Sequence, residues 1–104
     1  MVTFGEQVKI LRKQKHITQK QLAEKIGVDF TYISKMEKNK TVHSPSEKII
    51  RKIALVLETN AEDLILLAGK LPRNWLERLF QDKNKLEAVK NLLRNEVDSI
   101  ERKI

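Results

Sequence analysis

The sequence predicts an all-α protein, and three observations point to that class. Apolar residues recur at helical spacing along the 104-residue chain, and no segment alternates apolar and polar residues as a strand does. Four times, a residue that can cap a helix is followed three positions later by an acid or glutamine, the pattern of a capping box. The pairs are Thr3 with Glu6, Thr18 with Gln21, Ser44 with Glu47, and Asn60 with Asp63. Each pair opens an apolar-periodic segment and therefore predicts a helix start.

These starts predict a bundle of five helices. The expected ranges are about 4–15, 19–26, 30–38, 45–57 and 61–68. Gly27 is expected to end the second helix in the left-handed conformation, and Gly69 to close the fifth. Asp29 is the expected N-cap of the third helix. Pro45 is expected at the first position of the fourth helix, directly after Ser44 as its cap.

The pattern changes after Pro72. A short apolar face comes first, made of Trp75, Leu76, Leu79 and Phe80. A narrow apolar seam follows at spacings of 3, 4, 4, 3 and 4, made of Leu86, Val89, Leu93, Val97, Ile100 and Ile104. The sequence therefore predicts a first domain over residues 1–70 and a helical extension over residues 71–104, which we expect to be a dimerisation element.

The charge of the chain is concentrated in its first half. The formal net charge is +7, with 12 basic and 5 acidic residues up to Leu57 and 9 of each from Glu58 onward. An excess of this kind favours a polyanionic partner such as nucleic acid.

There is no cysteine, which excludes disulfides and zinc-thiolate sites and fits a cytoplasmic protein. No apolar run approaches the roughly 20 residues of a membrane span, and no signal peptide is visible, so we expect no membrane partner.

A helix-turn-helix unit lies in residues 19–38, which read QKQLAEKIGVDFTYISKMEK. Such a unit needs a small residue in its first helix, a glycine at the turn and an apolar anchor in its second helix. Ala23, Gly27 and Ile33 fill these positions, 4, 8 and 14 residues after Gln19. With the stretches ITQKQLAEKIGV, TYISKMEKNK and SPSEKIIRKIALVLETNAEDLILLAGK, the sequence resembles the lambda-repressor-like, or XRE-type, helix-turn-helix family over roughly residues 3–70.

The resemblance implies a five-helix domain that binds operator DNA, with the third helix as the recognition helix in the major groove. The residues at base-facing or groove-facing positions are Phe30, Thr31, Tyr32, Ser34 and Lys35. Phosphate contacts are expected from Gln19, Lys20, Arg12 or Lys13, Lys38, Asn39, Lys40, Thr41 and His43. Lys35 is the best direct reader and is expected to contact guanine, whereas Thr31 and Ser34 read bases ambiguously. Specificity is then expected to come partly from DNA shape.

Two further interactions are expected. Glu37, at the end of the third helix, should pair with a cation such as Arg12 and orient it rather than repel DNA. The C-terminal seam either packs back on its own chain or pairs with a second copy, and we expect the second, since a single half-site rarely gives useful specificity. The expected dimer interface comprises Ile65, Leu66, Leu86, Val89, Leu93, Val97 and Ile100.

The function predicted from these observations is that of a sequence-specific transcriptional regulator. We expect a repressor that binds a near-palindromic operator as a homodimer, with a regulatory protein as a possible further partner. The alternative is a protein-interaction module, or an antitoxin-type or restriction–modification controller protein, whose main contacts are made by the C-terminal helices. No catalytic constellation is recognisable, and the two histidines stand 27 residues apart. An enzyme, a metal site and a cofactor are therefore not expected.

Overall fold

The computed structural model describes the backbone of residues 2–102 and the side chains of residues 2–95. The predicted all-α class is confirmed, because the described residues form seven α-helices and no strand. The helices are α1 (Phe4–Gln14), α2 (Gln19–Ile26), α3 (Phe30–Glu37), α4 (Glu47–Leu57), α5 (Ala61–Leu67), α6 (Arg73–Gln81) and α7 (Lys83–Arg102). The chain divides into two compact units, the first ending at Pro72 and the second beginning at Arg73. None of the described helices is long and apolar enough to cross a bilayer.

Side-chain caps set the starts of α1, α2 and α3 as the sequence predicts. Thr3 and Thr18 each close a complete capping box, with Glu6 and Gln21 as the respective partners. Gly27 ends α2 with a φ of 76°, in the left-handed region that glycine adopts without strain. These caps fix the short turn between α2 and α3, and that turn positions the exposed face of α3.

The predicted start of α4 is wrong by two residues. Ser46, not Ser44, is the N-cap, and its hydroxyl accepts a hydrogen bond from the backbone N–H of Ile49 at 3.2 Å. Pro45 therefore lies before the helix, where it is buried, and the Ser44 hydroxyl faces the carbonyl of Ala68. Both serines can cap a helix, so the sequence alone leaves two registers, and the structure adopts the later one.

The core of the first unit is formed by all five of its helices. Its fully buried members include Val8, Leu22, Ile33, Ile50 and Ile65. The expectation that Ile65 points away from the core, toward a dimer interface, is therefore wrong. Four consecutive apolar residues, 64–67, occupy the short helix α5, and a run without polar interruptions does not reveal which residue faces inward. Leu66, its neighbour in that prediction, is 40% exposed.

The second unit consists of α6 and α7, which contact each other. Asp82 separates them, and its carboxylate accepts hydrogen bonds from the backbone N–H groups of Asn84 and Lys85, which caps α7. Large apolar side chains remain exposed on both helices: Trp75, Phe80, Val89, Leu92 and Leu93. Leu86 is half-buried. The side chains of Val97 and Ile100 lie outside the described residues.

Candidate nucleic-acid interface

Helix α3 divides into a buried face and an accessible face. Ile33 and Met36 are buried in the core and anchor the helix. Phe30, Thr31 and Lys35 are exposed to solvent, and the exposed fraction of Phe30 is 41%. The structure therefore leaves these three predicted base-facing residues open to a partner.

The other two predicted base-facing residues, Tyr32 and Ser34, are half-buried. Tyr32 packs against the core, and this burial raises the pKa of its phenol. The hydroxyl therefore stays protonated at neutral pH and is able to donate a hydrogen bond.

A groove lies on one side of the accessible face of α3, between the end of α1 and the start of α2. Phe30 forms its α3 wall. The remaining walls are formed by Arg12, Lys13, His16, Ile17, Thr18, Gln19 and Lys20. Lys13, in the last turn of α1, and Lys20, in the first turn of α2, are both exposed there. The dipole of α2 also favours an anion at its N-terminal end.

A second groove lies on the other side, between α3 and the loop that follows it. Tyr32 and Lys35 form its α3 wall. The loop wall is formed by Lys40, Thr41, Val42, His43 and Ser44. Four cations on these two borders form no ion pair with any residue that the structure describes: Lys13, Lys20, Lys35 and Lys40. The accessible face of α3 therefore lies between two grooves lined by free positive charge.

The first turn of α3 is capped by Asp29. One carboxylate oxygen of Asp29 accepts hydrogen bonds from both the backbone N–H of Thr31, at 2.8 Å, and the Thr31 hydroxyl, at 2.6 Å. The hydroxyl bond is the larger cause, and the backbone bond the second, of a pKa for Asp29 below its ordinary value. The carboxylate is therefore ionised at neutral pH. The stability from this cap is fully present above the unfolded-state pKa and is lost as the pH falls through the lowered folded-state pKa.

A buried ion pair joins α1 to α3. Arg12 Nε and Nη2 donate to the two carboxylate oxygens of Glu37 at 2.7 and 3.0 Å, and Arg12 Nη1 donates to the carbonyl of Ile17 at 2.8 Å. The predicted pairing of Glu37 with Arg12 is confirmed. The structure gives Arg12 a structural role in place of an open phosphate contact, because the side chain is only 9% exposed and each of its three nitrogens donates a hydrogen bond inside the domain.

Gln19 belongs to the same network, which sequence reasoning missed. Its amide nitrogen donates to Glu37 Oε1 at 3.0 Å, so Glu37 holds the first residue of α2 as well as Arg12. One of the two amide hydrogens of Gln19 is used in this way, and the side chain is half-buried. The network ties the starting residue of α2 to the end of α3, and this fixes the spacing of the residues on either side of the first groove.

Asn39 has a structural role that differs from its predicted one. It adopts a φ of 57°, the left-handed conformation that asparagine tolerates better than most residues, directly after the end of α3. Its side-chain oxygen accepts from the backbone N–H of Gly5, and its amide nitrogen donates to the Thr3 hydroxyl at 2.9 Å. These bonds connect the residue after α3 to the start of α1, and the phosphate contact of Asn39 stays a prediction. Only glycine fits at position 5, since an added Cβ would lie 2.3 Å from the carbonyl oxygen of Met36.

A comparison with known protein families assigns this architecture. The helix-turn-helix family model matches residues 8–64, which is more than half of the chain and includes α2 and α3. The chain belongs to the lambda-repressor-like (XRE-type) helix-turn-helix family. The resemblance inferred from the sequence is confirmed, and in this helix-turn-helix protein α3 is the second helix of the motif.

Curated relatives of this helix-turn-helix protein are transcriptional regulators. The transcriptional regulator SinR of Bacillus subtilis is 32% identical over 85 residues, which cover 76% of this chain and 75% of SinR. The transcriptional repressor RghR of Bacillus subtilis is 38% identical over 69 residues, which cover 66% of this chain. The match spans half of the length of RghR.

Solved structures of SinR extend the comparison. SinR in complex with DNA has a TM-score of 0.55 and 34% identity, and it covers 60% of this chain and 97% of that chain. A complex of SinR with the SinI protein has a TM-score of 0.56 and 28% identity, and it covers 97% of both chains. The second match therefore extends beyond the helix-turn-helix motif into the second unit.

Proposed function

We propose that this helix-turn-helix protein is a transcriptional repressor that binds a near-palindromic operator as a homodimer. The observation that carries the proposal is the accessible face of α3 between two grooves lined by unpaired cations. The relative SinR, whose fold matches this chain at 34% identity, was solved in complex with DNA. A DNA-binding role implies action in the cytoplasm, where a bacterial chromosome lies.

The proposed mode of binding follows from the dimensions of DNA. The major groove of B-DNA is about 12 Å wide and admits one α-helix, whose sides then face the two phosphate backbones. With α3 in that groove, Lys13 and Lys20 lie toward one backbone, and Lys38 and Lys40 toward the other. Phosphate contacts of this kind fix the register of the protein without reading sequence. Thr31 and Lys35, one helical turn apart on the exposed face, are then placed to contact base edges.

The sign of regulation and the dimer rest on further observations. RghR is described as a repressor, and a domain that covers a promoter blocks polymerase without needing any catalytic group.

The dimer is supported by the apolar surface of the second unit, in which Phe80 is 68% exposed and Leu93 is 56% exposed. Apolar side chains left exposed in this number on one short unit are typical of an interaction surface. We assign that surface to a second copy of the chain, because two identical α3 helices match a near-palindromic site.

The dependence of binding on salt tests the DNA-binding function. With about six phosphate contacts, the affinity of the full chain for duplex DNA is expected to fall about a thousandfold between 50 and 200 mM salt, as condensed counterions are released. Fluorescence anisotropy with a labelled duplex measures this slope. An affinity that does not change with salt, or no binding at low salt, contradicts the proposal.

The dimer is tested by a charge placed on the apolar surface of α7. The Leu93→Arg variant is expected to be a monomer at concentrations at which the wild type is a dimer, because the arginine would be buried without a partner. Asn91→Arg is the matched control, since Asn91 is exposed and lies two residues away, on the opposite side of the helix. Sedimentation equilibrium gives both masses. A Leu93→Arg variant that stays dimeric would rule out this surface as the interface.

A second candidate function is favoured by the match to the SinR–SinI complex. The chain would then be mainly a protein-interaction module that binds a different protein through α6 and α7. In that case the two grooves beside α3 have no phosphate to bind, and the affinity for duplex DNA is absent or weak. The salt titration separates the two functions, because only the operator-binding function predicts a steep slope.

A further inference from the structure

The hydroxyl group of Thr31 has a fixed hydrogen-bonding direction. Asp29 Oδ1 lies 2.6 Å from Thr31 Oγ1, within the range for a bond between a hydroxyl and a carboxylate. An ionised carboxylate accepts hydrogen bonds and has none to donate. The single hydrogen of the Thr31 hydroxyl must therefore point to Asp29, and it is not available to any other partner.

Because the hydroxyl hydrogen of Thr31 is bonded to Asp29, the side chain offers two other groups to a partner. Its hydroxyl oxygen keeps a lone pair that can accept a hydrogen bond, and its γ-methyl group offers an apolar contact. Thr31 is exposed on the second residue of α3, one helical turn before Lys35. Lys35 carries only donors, so the accessible face of α3 places an acceptor and a donor in neighbouring turns.

The bases differ in what they offer to such an acceptor. In the major groove, adenine and cytosine present an amine hydrogen, whereas guanine and thymine present a carbonyl oxygen. A threonine with a free hydroxyl could bond to either kind of group. Because the hydroxyl hydrogen of Thr31 is bonded to Asp29, the hydroxyl oxygen can accept a hydrogen bond from a base amine. At a base carbonyl, a lone pair of the hydroxyl oxygen would face a lone pair of the carbonyl oxygen, and the two would repel each other.

We infer that Thr31 is a specificity-determining residue that selects a base with an exocyclic amine, adenine or cytosine, and that Asp29 is the positioning residue that sets this selection. The inference rests on the proposed function, since it requires α3 to lie in the major groove. It removes the ambiguity that the sequence leaves for a threonine at this position, and it gives Asp29 a role beyond capping the helix.

The test begins with selection of bound sequences from random duplexes by the full-length wild type and by Thr31→Val, which keeps the shape of the side chain and removes the acceptor. One base pair in each half-site is expected to lose its preference in Thr31→Val. At that pair, the amine is then deleted, with purine in place of adenine or 2-pyrimidinone in place of cytosine. The deletion is expected to weaken wild-type binding about five- to tenfold, the effect of one net hydrogen bond, and Thr31→Val less than about twofold.

A second variant tests the role of Asp29. Asp29→Gly removes the carboxylate while keeping most of the capping preference, so the Thr31 hydroxyl becomes free to donate. In Asp29→Gly, the preference for a base with an amine over a base with a carbonyl is expected to become small or to disappear at this position. The base preferences at the other positions of the site are expected to stay unchanged. Asn60→Gly is the matched control, because Asn60 also caps a helix, α5, through its side-chain oxygen and is far from α3 in sequence. It is expected to keep the wild-type preference.

Three results would overturn the inference while leaving the proposed function intact. The first is a selected site whose preferences are the same in Thr31→Val as in the wild type. The second is an amine deletion that weakens both proteins equally, and the third is an unchanged base preference in Asp29→Gly. Failure to select any sequence, together with a flat salt response, would instead refute the proposed function and this inference with it.

Discussion

Replacing Arg12 with methionine is expected to lower the free energy of unfolding by about 3–5 kcal/mol, the usual cost of removing one partner of a buried ion pair. The Glu37 side chain is 2% exposed and accepts two hydrogen bonds from Arg12. Without Arg12, its charge would remain in the core with only the bond from Gln19. Methionine fills much of the same volume, so the loss reports the uncompensated charge rather than a cavity.

Urea unfolding followed by circular dichroism measures this loss as a lower midpoint with an unchanged slope. Arg51→Met is the matched control, because Arg51 forms an exposed pair with Glu47 four residues earlier. Such pairs contribute about 1 kcal/mol at most. The double variant Arg12→Met with Glu37→Leu is expected to recover much of the loss, since no buried charge is left unpaired. A loss in Arg12→Met no larger than that in Arg51→Met would contradict a stabilising role for the pair.

Replacing Lys35 with alanine is expected to weaken binding to the selected operator by about 1–3 kcal/mol and to relax the preference at one base pair. Lys35 is exposed on α3, whereas Lys40 lies on the loop beyond it. Lys40→Ala is therefore the matched comparison, and it is expected to weaken all duplexes alike and to reduce the salt slope by about 1. Anisotropy titrations with the operator and with single-base variants measure both effects.

The role assigned to Lys35 is contradicted by one outcome of these titrations. A uniform loss in Lys35→Ala, with no change in base preference, would make Lys35 a phosphate contact. Base reading by α3 would then depend on Thr31, on the apolar and hydroxyl contacts of Phe30 and Tyr32, and on the shape of the DNA.

Local signals in the sequence predicted the features that depend on local chemistry. Asp29 and Gly27 could be placed at the two ends of the turn before α3, because capping and left-handed φ angles depend on one residue and its near neighbours. The anchor Ile33 followed from its place in the helix-turn-helix pattern. The base-facing positions on α3 were implied by the family resemblance, and the structure leaves Phe30, Thr31 and Lys35 of that set exposed.

Features that depend on distant residues were harder to predict. Arg12 and Asn39 read as surface residues because both are polar, yet their partners, Glu37 and the start of α1, lie 25 or more residues away. The pairing of Arg12 with Glu37 could be expected, but not the burial of the guanidinium or its third hydrogen bond, to the carbonyl of Ile17. Ile65 was misplaced because an uninterrupted apolar run has no periodicity to orient it.

Selection of bound sequences from random duplexes by the full-length protein tests the central claim, that two copies of α3 read DNA from the major groove. The predicted result is a pair of inverted half-sites whose centres are separated by about 10–10.5 base pairs, or a multiple of that spacing. This spacing puts both copies of α3 on the same side of the duplex. A pool that shows no enrichment after repeated rounds would contradict base reading by α3, and enrichment of a single unrepeated half-site would contradict the dimer.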